Sequence, residues 1–294
     1  MTQDEFIIFV YLMIEEKITE SFGGRTIRKA GFPPSLSDAE ALTMAVIGEF
    51  SGMQEDTKIW SYFKKHYSAW FPKLGERSVF ARQIANLLPI MQEILQQCFA
   101  VPRNNILHMQ DGVPMPIMHY ARSARDKCFK GEAAYGYCAS KDEHYYGFMG
   151  HVRINSDGAL SGFMLTPANG SERDAMLEMS DGITGIMLAD KGFISASLQT
   201  QLADQNIELQ TPMRKNMNDN RNPEFVRWIL STRRLVETVI GQLTERFKIN
   251  KIRVKTCFHL QARIARKLLS HSLATIITKK LGLDVTNLNG IIQT

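Results

Sequence analysis

Residues 187–193 read MLADKGF, an apolar run that ends in Asp190 and continues into Lys191 and Gly192. A short apolar run bounded by turn residues is typical of a buried strand. Because Asp and Gly are common turn formers, Asp190 taken alone is equally typical of a strand that ends in a turn. The stretch ILHMQDGVPMPI around Asp111 has the same pattern, and the same two interpretations apply to it.

The pattern on either side of this stretch predicts two domains. The first hundred residues have the periodicity and composition of helices; the Ser37 to Glu40 spacing is that of a capping box, and Pro89 is expected to kink a helix over 78–99. From about residue 101 short β-rich runs alternate with helices, and long helices are predicted over 223–248 and 258–280. The order predicts an α/β fold in which a mixed sheet is flanked by helices, with an all-α domain over 1–100 and a catalytic domain over 101–294.

Composition excludes several classes of protein. The four cysteines show no CxxC pair or zinc-ligand spacing, and no GxSxG motif supports a serine hydrolase. The most apolar stretch, Phe6 to Ile14, is too short to span a bilayer, so no membrane segment is predicted and a cytoplasmic location is expected. The net charge of +5 is modest evidence for a polyanionic partner.

A third acid lies on a predicted helix. In NPEFVRWILSTRRLVETVIGQLTERFK the apolar residues recur at helical spacing, and Glu237 lies at the border of the apolar face. Arg233, Glu237, Thr244 and Lys248 are expected to share one stripe. A solvated Arg–Glu pair at i, i+4 spacing is the alternative interpretation.

Three carboxylates from two strands and a helix suit divalent-metal chemistry. Mg²⁺ takes oxygen ligands and keeps waters for substrate phosphates. Two such ions can activate the attacking oxygen and stabilise the leaving oxygen of a phosphodiester. Arg233 or Lys191 would contact phosphate or steady a carboxylate.

Three motifs resemble those of the DDE transposases of bacterial insertion sequences, in particular the group with a short, uninterrupted ribonuclease H-like core. They are Asp111-Gly112, LADKGF at 188–193 and RRLVETVIGQL at 233–243, and YYGFMGHVRIN and TPANGSERD between them are also similar to that group. The resemblance covers roughly 105–270 and implies a ribonuclease H-like catalytic domain after a helical DNA-binding region.

The resemblance also implies the site residues. Asp111, Asp190 and Glu237 would be the catalytic and metal-binding triad, holding two Mg²⁺ ions, with Mn²⁺ as the alternative ion. The third motif of related enzymes often reads Arg, three residues, Glu, six residues, Lys. Arg233 and Glu237 match it, but Thr244 occupies the basic position, and Lys248 is the candidate substitute. Gly112 stands where many relatives have Ser.

A basic segment follows the proposed catalytic helix. Between Arg246 and Lys267 there are eight Lys or Arg residues and no acid. A solvated helical surface is one interpretation, and phosphate contact is the favoured one. The predicted DNA- or phosphate-binding residues are Lys191, Arg233, Lys248, Lys251, Arg253, Lys255 and Arg263.

The predicted function is therefore that of a DNA transposase. It would cut the ends of an insertion sequence and join the 3′-hydroxyls to target DNA by divalent-metal-dependent phosphoryl transfer. Its partner would be double-stranded DNA, both element ends and target, and a homodimer is expected on DNA. Two alternatives stay open: a metal-dependent nuclease without strand transfer, and an inactive DNA-binding regulator.

Overall fold

The architecture comes from a computed structural model that describes residues 1–23, 33–100, 102, 104–139 and 142–292. In chain order the helices are α1 (Gln3–Phe22), α2 (Asp38–Phe50), α3 (Asp56–His66), α4 (Arg77–Asn86), α5 (Leu88–Phe99), α6 (Glu172–Met179), α7 (Ala196–Asp204), α8 (Pro223–Glu245) and α9 (Cys257–Lys280). The strands are β1 (Leu107–Met118), β2 (Ala134–Cys138), β3 (Glu143–Asn155), β4 (Leu160–Pro167), β5 (Gly185–Leu188) and β6 (Ile207–Gln210).

The chain forms two compact units. Unit 1 comprises Met1–Cys98 and Leu243–Thr294, and unit 2 comprises Phe99–Gln242. The expected extent of the second domain, 101–294, therefore differs from the structure, because the C-terminal residues fold with the N-terminal helices. The physical reason is that α9 packs against α2 and α4 within unit 1.

Local sequence signals explain most of the helices in unit 1. The capping box predicted at Ser37 is present: its hydroxyl accepts from the Glu40 N–H, and the Glu40 carboxylate accepts from the Ser37 N–H. The helix expected over 78–99 is wrong as a single kinked helix, since α4 and α5 are separated at Leu87. Pro89 lies in the first turn of α5, where its missing N–H costs no intrahelical bond.

Unit 2 is built on a mixed sheet. β1 pairs antiparallel with β3 and parallel with β5, and β6 continues the parallel side. On its other edge β3 pairs first with β2, through residues 143–147, and then with β4, through residues 148–154. The strand order is thus β2-β3-β1-β5-β6, with β4 also paired to β3. This sheet with its flanking helices confirms the predicted fold class.

The parallel side of the sheet carries a compact apolar core. It is formed by buried side chains of α6, β5, α7 and β6, among them Met176, Met187, Leu202, Ile207 and Leu209. This core fixes the carboxyl end of β5, and that strand end is where Asp190 lies.

None of the helices in the described part of the chain combines the length and the apolarity needed to cross a membrane.

Candidate active site

The sheet register places Asp111 and Asp190 at the same level. The last residues paired between β1 and β5 are Met109 and Leu188. Asp111 follows Met109 by two residues on β1, and Asp190 follows Leu188 by two residues in extended backbone just after β5, so the two side chains leave the same face of the sheet. β5 ends at Leu188 while β1 continues, and the two carboxylates lie where the parallel pairing stops.

The strand does not end at Asp111, contrary to the expected turn. β1 continues to Met118, and Pro114 lies inside it, paired with Met149 of β3. Because the described pairing with β5 stops at Met109, β1 has an open edge beyond that point, and an edge strand tolerates prolines. Asp111 is therefore held by a regular strand and not by a turn.

The turn after β5 forms without the Asp190 side chain. The Asp190 backbone carbonyl accepts from the Phe193 N–H at 3.0 Å, and its carboxylate makes no capping hydrogen bond. The guanidinium of Arg173 donates to the carbonyls of Gly192 at 3.1 Å and Ile194 at 3.2 Å, which fixes this turn from α6. The carboxylate is thus not committed to the turn, and its side chain is 45% exposed.

Arg233 brings the three predicted carboxylates together. It is 8% exposed, and its guanidinium nitrogens lie 3.6 Å from Asp111 Oδ2, 3.6 Å from Asp190 Oδ1 and 3.7 Å from Glu237 Oε1. These are ion-pair distances, longer than the ~2.7–3.2 Å of a normal hydrogen bond. The carboxylates therefore converge on one cation without being locked to it.

A fourth carboxylate, Glu172, lies near Asp111 across the strand and was not predicted. A Cβ added to Gly112 would lie 3.5 Å from Glu172 Oε1. Since successive strand residues face opposite sides, Glu172 approaches from the face opposite to Asp111. It follows the N-cap Ser171 as the first residue of α6, where an acid is ordinary, so only its place in TPANGSERD marked it in the sequence.

The charges of the site oppose one another. Burial raises the pKa of Asp111, and the charges of Asp190 and Glu237 raise it further. The Gly112 N–H, 2.8 Å from the Asp111 carboxylate, and the Arg233 guanidinium lower this pKa. The pKa of Glu172 is also raised, first by burial and then by the charges of Asp111 and Asp190. One arginine does not neutralise four carboxylates.

The donor chemistry fits a hard divalent cation. The cluster offers carboxylate oxygens and neither thiolate nor imidazole, which suits Mg²⁺ or Mn²⁺ better than Zn²⁺. As arranged around Arg233, no three His, Cys, Asp or Glu side chains of the described residues form a ready ligand set. The excess negative charge and the oxygen donors fit such an ion, and Asp111, Asp190 and Glu237 are the side chains that could hold it.

A cationic cavity of about 450 Å³ adjoins Asp190. Lys191, predicted from the sequence, lines it together with Arg214 and Lys215, which were not predicted. These two residues follow β6, the parallel neighbour of β5, and the carboxyl ends of parallel strands meet at one edge of a sheet. The position after a second parallel strand was the signal that could have found them.

Lys248 does not continue the stripe of Arg233 and Glu237. α8 ends at Glu245, and Lys248 lies beyond it with a left-handed φ of 51°. The expectation that Lys248 replaces the basic residue of the helical motif is therefore wrong in its geometry, because a stripe at i+4 spacing requires an uninterrupted helix.

The basic segment after α8 divides into exposed and internally paired residues. Lys251, Arg253 and Lys255 are exposed in unit 1. Arg263 instead donates to Asp56 at 2.9 Å and to the Gln54 carbonyl at 2.6 Å, so its charge is already paired. Arg266 and Lys267, also in the run read as a phosphate-contacting surface, are buried against Glu49.

Comparison with known proteins gives the family of the chain. A family model described as Transposase DDE domain matches residues 103–257, just over half of the chain. The chain belongs to the transposase DDE domain family. It is accordingly a DDE-type transposase, an enzyme class that transfers polynucleotides with divalent metal ions. No protein of curated function matches the chain in sequence.

The fold of this transposase is similar to a solved structure described as the cryo-EM structure of the piggyBac transposase synaptic complex with hairpin DNA. The two share 12% sequence identity, with a TM-score of 0.52, and the match covers 99% of this chain and 78% of that chain. At this identity the likeness concerns the fold alone, and it supports the mixed sheet with flanking helices.

Proposed function

We propose that this transposase cuts DNA at the ends of a bacterial insertion sequence and joins the freed 3′-hydroxyls to target DNA. The observation that carries the proposal is the convergence of Asp111, Asp190 and Glu237 on the buried guanidinium of Arg233. Carboxylates from two adjacent strands and a helix, with a cationic cavity beside them, suit phosphodiester chemistry.

Each residue has a role that follows from its position. Asp111, Asp190 and Glu237 hold two Mg²⁺ ions, or Mn²⁺ in their place, and Arg233 positions these carboxylates. When bound, the ions supply activation of the attacking oxygen and stabilisation of the leaving oxygen. Lys191, Arg214 and Lys215 bind the phosphates beside the scissile bond.

The reaction has two steps of the same kind. In cutting, a water oxygen attacks phosphorus, the bond from phosphorus to the 3′-oxygen breaks, and the products are a 3′-hydroxyl and a 5′-phosphate. In joining, that 3′-oxygen attacks a target phosphodiester and displaces the target's own 3′-oxygen, which takes up a proton. Neither step requires a nucleophilic side chain.

Unit 1 provides further contacts to the DNA backbone. Its exposed Lys251, Arg253 and Lys255, together with the half-buried Lys248, neutralise phosphates, which makes binding steeply salt-dependent. Arg263, paired with Asp56, is left out of this set. Because both element ends are joined in one event, a homodimer assembles on DNA. The protein acts in the bacterial cytoplasm.

A strand-transfer assay separates this function from its two rivals. The purified protein is incubated with duplexes of the inverted repeats that flank its gene, a supercoiled target and Mg²⁺. Joined products support transposition. Nicks without joining favour a nuclease, and binding without cleavage favours an inactive regulator.

The site assignment is tested by Asp190→Asn. Loss of one metal-binding charge should lower the cleavage rate by at least about a hundredfold while DNA binding stays near normal. Asp204→Asn, an exposed acid at the end of α7 in the same unit, is the matched control and should cleave at the parental rate. Parental cleavage by Asp190→Asn would contradict the assignment.

A further inference from the structure

Unit 2 contains a second cavity that the proposed chemistry does not use. It has a volume of about 480 Å³, and its polar and aromatic lining consists of Ser123, Asp126, Lys130, Tyr135, Tyr146 and Asn169. The remaining lining residues are alanines. We call it the aromatic pocket.

A continuous series of rings begins at Tyr146 and Tyr135 in this pocket. The ring centroids of Tyr135 and Tyr146 are 5.0 Å apart, and those of Tyr120 and Tyr135 are 5.5 Å apart. His144 lies 5.8 Å from Tyr120 and 5.0 Å from Tyr137. Tyr120, Tyr135 and Tyr137 are each about half exposed, at 49%, 51% and 50%, so aromatic faces supported by other rings are presented to solvent.

The polar groups of the pocket suit a neutral ligand with hydrogen-bonding edges. Both carboxylate oxygens of Asp126 are already occupied, by the N–H groups of Cys128 at 2.9 Å and Phe129 at 3.0 Å. The exposed side-chain amide of Asn169 has no hydrogen-bond partner among the residues that the structure describes. An amide offers a donor and an acceptor side by side, the pattern that nucleobase edges match.

Cationic residues line the pocket or adjoin its lining residues in the chain. Arg122, Arg125, Lys127 and Lys130 are all exposed, and none forms an ion pair within the described part of the chain. Stacking surfaces beside unpaired cations are the arrangement with which proteins hold unpaired nucleotides, since the rings take the bases and the cations take the phosphates.

The pocket lies on the face of the sheet that carries Asp111. Asp111 is paired with Val152 on β3, and Tyr146 stands six positions away on the same strand and therefore on the same face. Tyr135 is paired with Tyr146 and shares that face. At ~3.3 Å per residue the separation along the strand is about 20 Å, which a strand of DNA spans with roughly six nucleotides.

We propose that the aromatic pocket takes one unstacked nucleobase of the bound DNA, stacked on Tyr135 and read at its edge by Asn169. The base lies on the order of six nucleotides from the scissile phosphate. The inference rests on the proposed function, since it assumes that DNA lies over Asp111. The stacking rings and the nearby cations favour a base with its phosphates over an apolar peptide or a second copy of the chain.

The test combines a protein change with a DNA change. Duplexes of the inverted repeats receive a single abasic site, moved one position at a time along the strand, and are bound by wild type and Tyr135→Ala. On intact DNA the variant should bind about tenfold more weakly. At one position, roughly six nucleotides from the scissile phosphate, removal of the base should abolish the difference in affinity between wild type and Tyr135→Ala.

Tyr135→Phe is the matched control, because it keeps the ring and should retain most of the affinity. A second readout uses 2-aminopurine at the same position: its fluorescence should change on binding to wild type and to Tyr135→Phe, but not to Tyr135→Ala. If the variant's loss is the same at every abasic position, no base enters the pocket and the inference is wrong.

The outcome separates this inference from the function on which it rests. Wild type that neither binds nor cleaves the duplexes contradicts the proposed function. If wild type cleaves the duplexes but the effect of Tyr135→Ala is the same with and without each base, only the base-pocket inference is contradicted. Self-association or peptide binding that is lost in Tyr135→Ala while DNA binding is unchanged also overturns the inference.

Discussion

Arg233 determines the charge balance of the candidate site at the scale of single residues. A planar guanidinium reaches three carboxylates at once, which a lysine ammonium, as a point charge, does less well. Its Nε is buried and makes no hydrogen bond within the described residues, so the carboxylates are the main partners of this side chain.

Replacing Arg233 by Gln should therefore destabilise the protein and make it depend on a divalent cation. Because Asp190 and Glu237 are about half exposed, solvent screens part of the lost attraction, and a loss of roughly 1–3 kcal/mol of unfolding free energy is expected. Ca²⁺, which binds carboxylates, should raise the melting temperature of the variant more than that of wild type. Arg234→Gln changes the exposed neighbour and is the control. Equal Ca²⁺ shifts in wild type and Arg233→Gln would argue against the convergence.

Glu172 should reduce stability when no metal is present. Its raised pKa means that the folded state binds a proton more tightly than the unfolded chain, so its ionisation lowers stability as pH rises through that pKa. When a chelator removes divalent metal, Glu172→Gln should unfold at a higher temperature than wild type near neutral pH. The difference should be ~2–4 °C for each kcal/mol gained in unfolding free energy. This advantage should shrink on acidification.

The same variant should bind Mn²⁺ more weakly by calorimetry if Glu172 contributes to the metal site. Glu178→Gln replaces an exposed acid on the same helix and should change neither the unfolding temperature nor the affinity for Mn²⁺. A variant that loses stability at neutral pH would show that Glu172 is held by favourable contacts instead of being repelled by Asp111 and Asp190.

At the scale of elements, α9 is joined to α2 by buried ion pairs. Glu49 is 1% exposed and contacts the guanidinium of Arg266 at 2.5 Å and the ammonium of Lys267 at 2.6 Å. Arg266 also reaches Asp56 at 2.7 Å, and Asp56 pairs with Arg263. The second acid, at the start of α3, thus ties a third helix to α9.

Removing the charge of Glu49 should show how much these buried ion pairs contribute to the unfolding free energy. Glu49→Gln leaves two buried cations short of a partner, and a loss of about 3–5 kcal/mol in unfolding free energy is expected. Glu55→Gln is the control, because its pair with Lys58 at 3.6 Å is exposed, and such pairs contribute ~0–1 kcal/mol. Urea unfolding of both variants measures the difference; similar losses would mean that the buried network contributes little.

The same ion pairs show which features of the fold could not be predicted from the sequence. The strands around Asp111 and Asp190 and the helix of Glu237 are visible as local periodicity, so their order could be predicted. The run from Arg246 to Lys267 could be read only as a list of charges, because its acidic partners lie about 200 residues away in the chain. The misplaced domain boundary at 101–294 has the same cause, since the packing of α9 on α2 leaves no local signal.

The candidate site shows the same limit on a smaller scale. Asp111, Asp190 and Glu237 each interrupt or border an apolar pattern, and the resemblance to DDE transposases assigned them to one site. Glu172 begins a helix, where an acid is ordinary, and Arg214 and Lys215 lie in a polar connection. Their proximity to Asp111 or Asp190 comes from the sheet register, which a single strand does not reveal.

At the scale of the whole molecule, both units bury histidines: His108 and His151 in unit 2 and His271 in unit 1. His151 lies on β3 in unit 2 and His271 on α9 in unit 1, at 1% and 0% exposure. Burial lowers the pKa of His151 to about 4 and that of His271 to about 3. Both are therefore neutral in the folded protein over the pH range in which an unfolded chain would protonate them.

The protein should consequently become less stable in mild acid. Below the ordinary histidine pKa of 6.5 the unfolded chain takes up protons that the folded units exclude, until the lowered pKa values are reached. Each histidine then costs up to ~1.4 kcal/mol of unfolding free energy per pH unit. Urea unfolding of wild type and of His151→Gln and His271→Gln between about pH 7 and about pH 5 should show a shallower slope in each variant. His66→Gln, at an exposed position of α3, should leave the slope unchanged. Slopes that match wild type in both buried variants would mean that the acid response arises elsewhere, because the raised pKa values of Asp111 and Glu172 act in the opposite direction and cannot produce it.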